Sequence, residues 1–375
     1  MKRVTVLGST GSIGRSALDV IRMHPESFQV VGLCAGSNTS LLARQSEEFK
    51  VEVLGHFSPA SPLPAKKCAA VGMNAPVEVI SRSAPDIVVN GISGAAGFLP
   101  SLEAVRAGAA LALANKESLV IGGAFLIAEA RKRGVPILPV DSEHSAVFQC
   151  LQGENAESVR RIILTASGGP FRNRPAGTFR DITPAEALAH PTWSMGRRIT
   201  IDSATMMNKG LEIIEACWLF GVGLDRIEVT VHPQSIVHSM VEFKDRCVKA
   251  QLSVPDMRAS IAYALSWPER LALSLEPLNL GTGLGLEFFP PDTGKFPALS
   301  VARAAMDRPE TLPCIMNAAD EVAIDAFLEG RLCFDGIVEV VKKTMDTLSG
   351  STVDSPEDVM ELDRQSRKAA EAILS

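Results

Sequence analysis

The feature that most constrains the fold is an alternation of apolar, β-rich runs with helical patterns through the first half of the chain. The β-rich runs are RVTVLG, FQVVGLCAG, PDIVVNG, AALALAN and VPILPV, and segments such as GRSALDVIRMHP, LPSLEAVRAG and IAEARKRG have helical spacing. Strands that alternate with helices predict a parallel sheet with crossover connections. We therefore predict an α/β, Rossmann-like nucleotide-binding domain over residues 1–150.

The pattern changes at Arg161, where strands begin to follow one another closely. The predicted strands are RIILTASGG, RRITID, RIEVTVHP, SIVHSMVEF and CVKAQLSV, with a helix from about Asn208 to Phe220. Several of these strands are close enough to pair antiparallel, which predicts an α+β domain with a mostly antiparallel sheet over 151–275. One free face of such a sheet suits a homodimer interface.

The rest of the chain divides into a linker and a helical region. Residues 276–297 are rich in Gly and Pro and show neither helix nor strand periodicity, so they are predicted to form a linker. Helical spacing continues from 298 to 375, which predicts a small C-terminal helical domain. A length of 375 residues exceeds the size at which one core stops growing, in agreement with several domains.

Composition narrows the functional classes. A formal net charge of −6 argues against a general nucleic-acid binder but leaves room for a phosphate-bearing small molecule. No signal peptide is evident, and the run Ser118 to Ala128 is too short to cross a bilayer, so we expect a soluble cytoplasmic protein without a membrane partner. Seven dispersed cysteines without a C-x-x-C pair fit reduced thiols.

The segment VTVLGSTGSIGRSALDVI combines a strand, a glycine-rich turn and an amphipathic helix. Gly8, Gly11 and Gly14 would let a pyrophosphate approach backbone N–H groups at the helix start, which predicts dinucleotide binding. The next strand runs into Gly36, Ser37 and Asn38 without the acid that binds the ribose hydroxyls of NAD. A carboxylate there would repel a 2′-phosphate, so its absence favours NADP, and a plain turn at these residues is compatible with that interpretation.

The stretch PVDSEHSA places acids directly after the apolar run that ends at Val140. If the backbone stays extended, Asp141 and Glu143 point the same way. With Glu212 they would form a hard three-carboxylate site suited to Mg²⁺ or Mn²⁺. For an arbitrary acidic pair, a solvated loop would be the simpler explanation.

Two further segments suggest an anion site. IILTASGGP places Ser167 before two glycines, and ITIDSATMMNKGLEIIEA is predicted to place Ser203 after a strand. Asn208, Lys209 and Glu212 would share one face of the following helix, near its start. Ser, Asn and Lys at a helix N-terminus suit a phosphate, whereas glutamate is also a common residue at helix starts.

Seven motifs taken together resemble the 1-deoxy-D-xylulose 5-phosphate reductoisomerase family: GSTGSIG, LANKESLV, PVDSEHSA, SGGPF, HPTWSMG, DSATMMNKGLE and HPQSIVHSM. The resemblance implies an NADP-dependent oxidoreductase of the non-mevalonate isoprenoid pathway. Such an enzyme rearranges 1-deoxy-D-xylulose 5-phosphate and reduces the aldehyde to 2-C-methyl-D-erythritol 4-phosphate. Retroaldol/aldol recombination and an α-ketol shift need the same residues, so the sequence does not separate them.

The resemblance also implies roles for individual residues. The divalent cation, Mg²⁺ or Mn²⁺ with Co²⁺ as an alternative, would be held by Asp141, Glu143 and Glu212. Catalytic groups would be Lys116, Glu143 and His190. Substrate contacts would come from Lys116, Ser142, Glu143, Ser167, His190, Trp193, Met195, Ser203, Asn208, Lys209 and Glu212, with HPTWSMG as a lid. NADPH contacts would come from Thr10, Gly11, Ser12, Ile13, Gly36, Ser37, Asn38, Asn115, Glu117 and Gly196.

Some observations leave alternatives open. Position 37 is Ser where relatives often carry a cation, so the sequence does not fix the strength of the preference for NADPH over NADH. One alternative is another NADP-dependent two-domain dehydrogenase, such as an aspartate-semialdehyde or homoserine type. The former needs a nucleophilic cysteine, and the nearest to these motifs is Cys150. A second alternative is a non-catalytic NADP-binding regulator, which would have no use for three metal-capable acids beside a phosphate site.

Overall fold

The computed structural model describes residues 1–59, 69–189 and 196–375. The strands, in chain order, are β1 (Lys2–Leu7), β2 (Phe28–Ala35), β3 (Val53–His56), β4 (Ala69–Val71), β5 (Ile87–Asn90), β6 (Ala110–Leu113), β7 (Ile137–Pro139), β8 (Val159–Ala166), β9 (Ile227–Val231), β10 (Val237–Phe243) and β11 (Val248–Leu252).

The α-helices, in chain order, are α1 (Ser12–Met23), α2 (Thr39–Glu48), α3 (Ala75–Ser83), α4 (Phe98–Arg106), α5 (Glu117–Arg133), α6 (Ser142–Cys150), α7 (Pro184–Ala187), α8 (Arg197–Thr205), α9 (Met207–Phe220), α10 (Met257–Ser266), α11 (Ala298–Ala305), α12 (Leu312–Leu328), α13 (Gly336–Thr347) and α14 (Pro356–Leu374). None of the helices in the described part of the chain is both long and apolar enough to cross a membrane.

The chain folds into two compact units. The first consists of Met1–Ser118, Leu126–Ser145 and Asp256–Leu275. The second consists of Leu119–Phe125, Ala146–Pro255 and Glu276–Ser375.

The first unit is built on a seven-stranded sheet with the order β4-β3-β2-β1-β5-β6-β7. Every neighbouring pair of strands is parallel, as the alternation of strands and helices predicts. Val4 and Val6 of β1 and Val88 and Val89 of β5 are fully buried, because helices cover both faces of such a sheet. The strand order reverses between β1 and β5, and ligands of open parallel sheets bind at the carboxyl ends of strands at such a reversal.

The second unit contains a four-stranded sheet with the order β11-β10-β8-β9. Strand β10 pairs antiparallel with both β8 and β11, whereas β8 and β9 run parallel. The sheet is therefore mixed, with two antiparallel pairs and one parallel pair. Helices α11 to α14 follow in the C-terminal region, where the sequence predicts helices throughout. The predicted fold class is confirmed.

One predicted strand is wrong. The run RRITID lies in helix α8, although alternating Ile and Thr favour a strand. Burial along this segment is not alternating, because Thr200, Ile201 and Asp202 are consecutive and all buried. In addition, Arg198 lies one helical turn before Asp202, with its Nε 3.7 Å from a carboxylate oxygen. Tertiary packing and this i, i+4 pair override the local preference.

Candidate active site

The turn between β1 and α1 lies where the strand order reverses. Gly8 has a φ of +74°, and a Cβ there would lie 2.5 Å from the carbonyl oxygen of Gly91. A Cβ on Gly14 would overlap the carbonyl oxygen of Gly8. Both glycines are therefore needed for the close approach of this turn to its neighbours. The first helical turn of α1 contains no acidic residue, which suits an anion site at the start of this helix.

The residues predicted to contact NADPH in the first unit follow the ends of β1, β2 and β6. Thr10 to Ile13 lead into α1, with Gly11 at the N-cap position. Gly36, Ser37 and Asn38 follow β2, and the Asn38 side-chain oxygen accepts a hydrogen bond of 3.1 Å from the Leu41 amide. This last residue therefore also caps α2.

Asn115 and Glu117 fix the conformation of the loop after β5, which the sequence analysis did not identify as part of the site. The Asn115 amide donates to the carbonyl oxygens of Ile92, at 2.7 Å, and Gly94, at 3.0 Å. It also donates to Glu117, whose carboxylate accepts from the Gly94 amide at 3.1 Å. Both side chains are buried, so they shape the loop that follows β5. The glycines of GISG directly after a buried strand are the signal that could have indicated it.

Asp141 and Glu143 are brought together in a different way from the one predicted. The backbone does not stay extended, because α6 begins at Ser142 and the Ser145 amide donates to the Asp141 carbonyl at 2.8 Å. Glu143 therefore lies in the first turn of a helix, and its carboxylate accepts from the Ser142 hydroxyl at 2.5 Å. Carboxylate oxygens of Asp141 and Glu143 nevertheless lie within 4.8 Å of each other.

Lys116 and His144 complete this group in the first unit. The Lys116 ammonium donates to Asp141 at 2.6 Å, and the two side chains are 6% and 14% exposed. The fully buried His144 has its Nδ1 3.9 Å from an Asp141 carboxylate oxygen. His144 belongs to the PVDSEHSA motif, and the sequence analysis assigned it no role. The carboxylates are hard oxygen ligands separated by a distance that one cation could bridge after small side-chain rotations, so they fit Mg²⁺ or Mn²⁺.

In the second unit, a glycine turn follows β8. Gly168 and Gly169 have φ values of +83° and +67°, and the Gly169 amide donates to the Ser167 hydroxyl oxygen at 3.2 Å. A Cβ on Gly169 would lie 2.6 Å from the carbonyl oxygen of Ser203. The turn and the C-terminal half of α8 are therefore tightly packed, which brings together two segments that the sequence assigns to phosphate.

Helix α9 begins one residue after α8 ends. Met206 adopts a left-handed φ of +66° between them, so Ser203 lies in a helix rather than after a strand as predicted. At the start of α9, Asn208 donates to one oxygen of Glu212 at 2.6 Å, and Lys209 forms a close ion pair with the other. Lys209 and Glu212 are both buried. The predicted shared face of Asn208, Lys209 and Glu212 is confirmed.

The lid prediction falls largely outside the described residues. His190, Trp193 and Met195 lie between the described ranges, so their predicted roles stay predictions. Gly196, predicted to contact NADPH, is described as the N-cap residue of α8, where its carbonyl accepts a 2.8 Å hydrogen bond from the Thr200 hydroxyl.

Three cysteines in the described part of the chain are poor candidates for a thiol nucleophile. Burial raises the pKa of the Cys150 thiol to about 11, even though the positive charge of Lys249 opposes this effect. Burial likewise raises the pKa of Cys34 to about 12 and that of Cys217 to about 11. Such thiols stay protonated at neutral pH and are poor nucleophiles.

Comparison with known families decides the assignment. Residues 4–123 match the model of 1-deoxy-D-xylulose 5-phosphate reductoisomerase. Residues 137–220 and 252–369 match two models of the C-terminal domains of the same enzyme. The chain belongs to the 1-deoxy-D-xylulose 5-phosphate reductoisomerase family. The family resemblance stated from the sequence motifs is therefore confirmed.

Relatives within the 1-deoxy-D-xylulose 5-phosphate reductoisomerase family match over the whole length. The enzyme of Geotalea daltonii is 48% identical, covering 100% of this chain and 99% of its own. That of Chlorobium phaeovibrioides is 49% identical, covering 100% of both. The alternatives of another dehydrogenase or a non-catalytic regulator gain no support from these matches.

Solved structures of the family show what its members bind. The Zymomonas mobilis reductoisomerase in complex with NADPH has a TM-score of 0.91 and 41% identity, covering 100% of this chain and 99% of its own. A DOX-P reductoisomerase in complex with NADPH, fosmidomycin and magnesium has a TM-score of 0.93 and 37% identity, with coverages of 100% and 98%. NADPH, predicted from the sequence, is thus bound in both relatives, and magnesium, one of the predicted cations, is bound in the second.

Proposed function

We propose that this protein converts 1-deoxy-D-xylulose 5-phosphate to 2-C-methyl-D-erythritol 4-phosphate, in a metal-dependent rearrangement followed by reduction with NADPH. The observation that carries the proposal is the full-length family match, at 48% identity over 100% of the chain. Three features supply the binding functions that this reaction needs. They are the glycine turn between β1 and α1, the carboxylate pair of Asp141 and Glu143, and the anion site formed by the glycine turn after β8 together with Lys209.

NADPH would bind at the carboxyl ends of β1, β2 and β5. The start of α1 offers backbone N–H groups and partial positive charge to the pyrophosphate. Gly36, Ser37 and Asn38 present no carboxylate to a 2′-phosphate. This favours NADPH over NADH, and about tenfold discrimination corresponds to only about 1.4 kcal/mol.

A divalent cation would be held by Asp141 and Glu143, with Glu212 as the third ligand that the family resemblance implies. When bound, the cation polarises the oxygens of the substrate ketone and the neighbouring hydroxyl. Ser142 would orient Glu143, because its hydroxyl already donates to that carboxylate. Lys116 would hold Asp141 in its ionised, ligating form through the 2.6 Å ion pair.

The substrate phosphate would bind to Ser167, Ser203, Asn208 and Lys209. The close packing of Gly169 against Ser203 and the burial of Lys209 support this assignment. The phosphate is remote from the bonds that change, so its binding energy can hold the reacting carbons in place. Lys116 and His190 would assist proton transfer, and Trp193 and Met195 would exclude water as part of a lid.

We propose functions for the domains with the boundaries predicted from the sequence. Residues 1–150 would bind NADPH and residues 151–275 would carry out catalysis and dimerisation. They are followed by the linker 276–297 and the helical region 298–375.

A cytoplasmic homodimer is part of this proposal. Strand β11 at the edge of the second sheet supports the dimer, because Val248 is 50% exposed there. Light scattering of the purified protein tests it, and a monomer at working concentration would contradict it.

The decisive experiment follows NADPH oxidation by absorbance after addition of 1-deoxy-D-xylulose 5-phosphate. We expect turnover with Mg²⁺ or Mn²⁺, loss of turnover with a chelator, slower turnover with NADH, and the branched product by NMR. Binding of NADPH without turnover would indicate the regulator. Oxidation of other substrates with no response to this sugar phosphate would indicate another dehydrogenase.

A further inference from the structure

Helix α8 is hydrogen-bonded to α12 within the second unit through Arg198, which is not among the predicted site residues. Arg198 lies in the first turn of α8. Its guanidinium donates to a carboxylate oxygen of Glu321 at 2.7 Å and to the side-chain oxygen of Asn317 at 2.8 Å. Glu321 and Asn317 are four residues apart on α12, so both lie on one face of that helix. A single arginine therefore contacts α12 at two points.

Both acceptors on α12 are held in place by further hydrogen bonds. Asn317 is fully buried, and its amide donates to the same Glu321 oxygen at 3.0 Å. The second Glu321 oxygen accepts from Arg367 of α14 at 2.7 Å, and Arg367 also bonds to Asp363 at 2.8 Å. A planar guanidinium that bonds to fixed acceptors through two nitrogens restrains the position of the helix that carries it.

Two other acids lie near the Arg198 guanidinium, at longer distances. Its Nε is 3.7 Å from a carboxylate oxygen of Asp202 on α8, and a terminal nitrogen is 4.0 Å from Asp320 on α12. Both acids are buried. These distances are too long for hydrogen bonds. The bonds from Arg198 to Glu321 and Asn317 are therefore the contacts that join the two helices here.

Helix α8 in turn carries part of the proposed phosphate site. Ser203 lies five residues after Arg198, and its carbonyl oxygen is 2.6 Å from the position that a Cβ of Gly169 would take. Helix α8 therefore packs directly on the glycine turn after β8. Beyond Ser203, the left-handed Met206 leads the chain into α9. A shift of α8 relative to α12 would displace Ser203 from this turn.

We propose that Arg198 is a positioning residue of the active site: its bonds to Asn317 and Glu321 hold α8 against α12 and thereby keep Ser203 in place for the substrate phosphate. This inference rests on the proposed function, which assigns Ser203 to that phosphate. In this scheme Arg198 acts through α8 and not on the reacting carbons. Its loss should therefore weaken binding of the sugar phosphate and leave the chemical step unchanged.

Two substitutions at position 198 test the proposal. Arg198→Met keeps a long side chain but removes both hydrogen bonds, so it should raise the KM for 1-deoxy-D-xylulose 5-phosphate about tenfold, with kcat within about twofold of wild type. Arg198→Lys keeps the charge without the planar fork, so it should raise that KM only about threefold. With the phosphate-free sugar, kcat/KM of both variants should stay within about twofold of wild type.

A substitution on α12 tests whether Arg198 acts through that helix. Asn317→Ala removes one of the two acceptors and should raise the KM for the sugar phosphate about threefold. The double variant Arg198→Met/Asn317→Ala should have the same KM as Arg198→Met alone, because both substitutions break the same connection. If the two effects multiply instead, Arg198 does not act through Asn317.

Arg367→Met is the matched control, because Arg367 bonds to the same Glu321 side chain but from α14. This substitution should lower the thermal stability of the protein, with the KM for the sugar phosphate within about twofold of wild type. An increase in KM as large as that of Arg198→Met would overturn the proposal, since loss of stability would then explain both variants.

The remaining failures are distinguishable. A wild-type protein without activity on the sugar phosphate would overturn the proposed function and this inference with it. An active wild type whose Arg198→Met variant keeps a normal KM would overturn only the role of Arg198. If Arg198→Met does not fold, a normal KM of Arg198→Lys has the same meaning. An equal loss with the phosphate-free sugar would also overturn this role, because the effect would then not concern the phosphate.

Discussion

Asp141 is the residue in which the electrostatics of the candidate metal site are clearest. Its carbonyl accepts the first hydrogen bond of α6, so its carboxylate lies at the positive end of that helix. The Lys116 ammonium adds a full positive charge at 2.6 Å. Both favour the ionised form, which is the form that binds a cation.

The first prediction concerns this carboxylate pair. Asp141→Asn and Glu143→Gln should each lower kcat by about 100-fold or more, since each removes a charged oxygen ligand. NADPH affinity, measured by fluorescence titration, should stay near that of wild type. Glu129→Gln is the control, because Glu129 forms an exposed pair with Arg133 on α5 and should leave kcat unchanged. Near-normal turnover of either variant at low Mg²⁺ would show that the ligand set is wrong.

The second prediction concerns Lys209, which is buried and paired with Glu212. Lys209→Ala should cost about 2–4 kcal/mol in kcat/KM for the sugar phosphate, the loss of a charge-assisted hydrogen bond in a closed site. The substitution also removes the ammonium group that pairs with Glu212. This effect must be separated from the loss of phosphate binding. The phosphate-free sugar makes the separation, because the substitution should add little loss there. Equal losses with both sugars would mean that Lys209 does not bind the phosphate.

Among the elements, the turn between β1 and α1 is fixed by sterics more than by side-chain chemistry. A third prediction follows from Gly8, at a φ of +74° with the Gly91 carbonyl oxygen 2.5 Å from a Cβ. Gly8→Ala should destabilise the protein by more than about 1–2 kcal/mol and weaken NADPH binding, because both strain and overlap act on the turn.

Gly108→Ala is the matched control, since Gly108 has a similar φ of +79° with no atom within 4 Å of a Cβ. It should show only the cost of backbone strain, about 1 kcal/mol, with normal NADPH affinity. Chemical denaturation and fluorescence titration measure the two effects. Equal values for the two variants would mean that the contact with Gly91 has no part in shaping the turn.

The elements also show what the sequence could and could not predict. Strands such as β1 and β5 were predictable because every residue of their apolar runs must be buried between helices. Helix α8 was not, because its burial depends on packing against other helices, among them α12, which lies more than one hundred residues later. Asp141 and Glu143 were recognised by residue type, but the helix that orients them begins at Ser142, where the sequence carries no break in polarity.

At the scale of the whole molecule, packing between distant segments is the part that periodicity does not reveal. Helix α10 packs on α1 in the first unit, although the chain between them passes through most of both units. Apolar faces predict that each helix is covered, but not by which partner. In the same way, Asp202 and Asp320 are ordinary acids in the sequence, and only the fold makes them one buried pair.

That pair gives the fourth prediction, which concerns global stability and pH. The pKa of Asp320 is raised above its ordinary 3.8 by burial and then by Asp202, so the folded protein keeps a proton that the unfolded chain releases. The contribution of this proton to the free energy of unfolding is greatest below the pKa that Asp320 has in the unfolded chain. It is lost as the pH rises through the pKa that Asp320 has in the folded protein. Asp320→Asn cannot lose a proton, so relative to wild type it should gain up to about 1.4 kcal/mol for each pH unit between the unfolded and the folded pKa, and no more above the folded pKa.

Glu321, the next residue, should behave in the opposite way and serves as the internal control. Burial alone would raise its pKa, but Arg198 and Arg367 outweigh burial and hold the pKa below its ordinary value of 4.5. Its stabilisation is therefore present above the unfolded pKa and lost as pH falls. Glu321→Gln should lower the free energy of unfolding at neutral pH, with a smaller loss in acid, whereas Asp320→Asn should become more favourable as pH rises. Urea denaturation across pH measures both differences, and parallel curves for wild type and Asp320→Asn would mean that Asp320 is ionised in the folded protein.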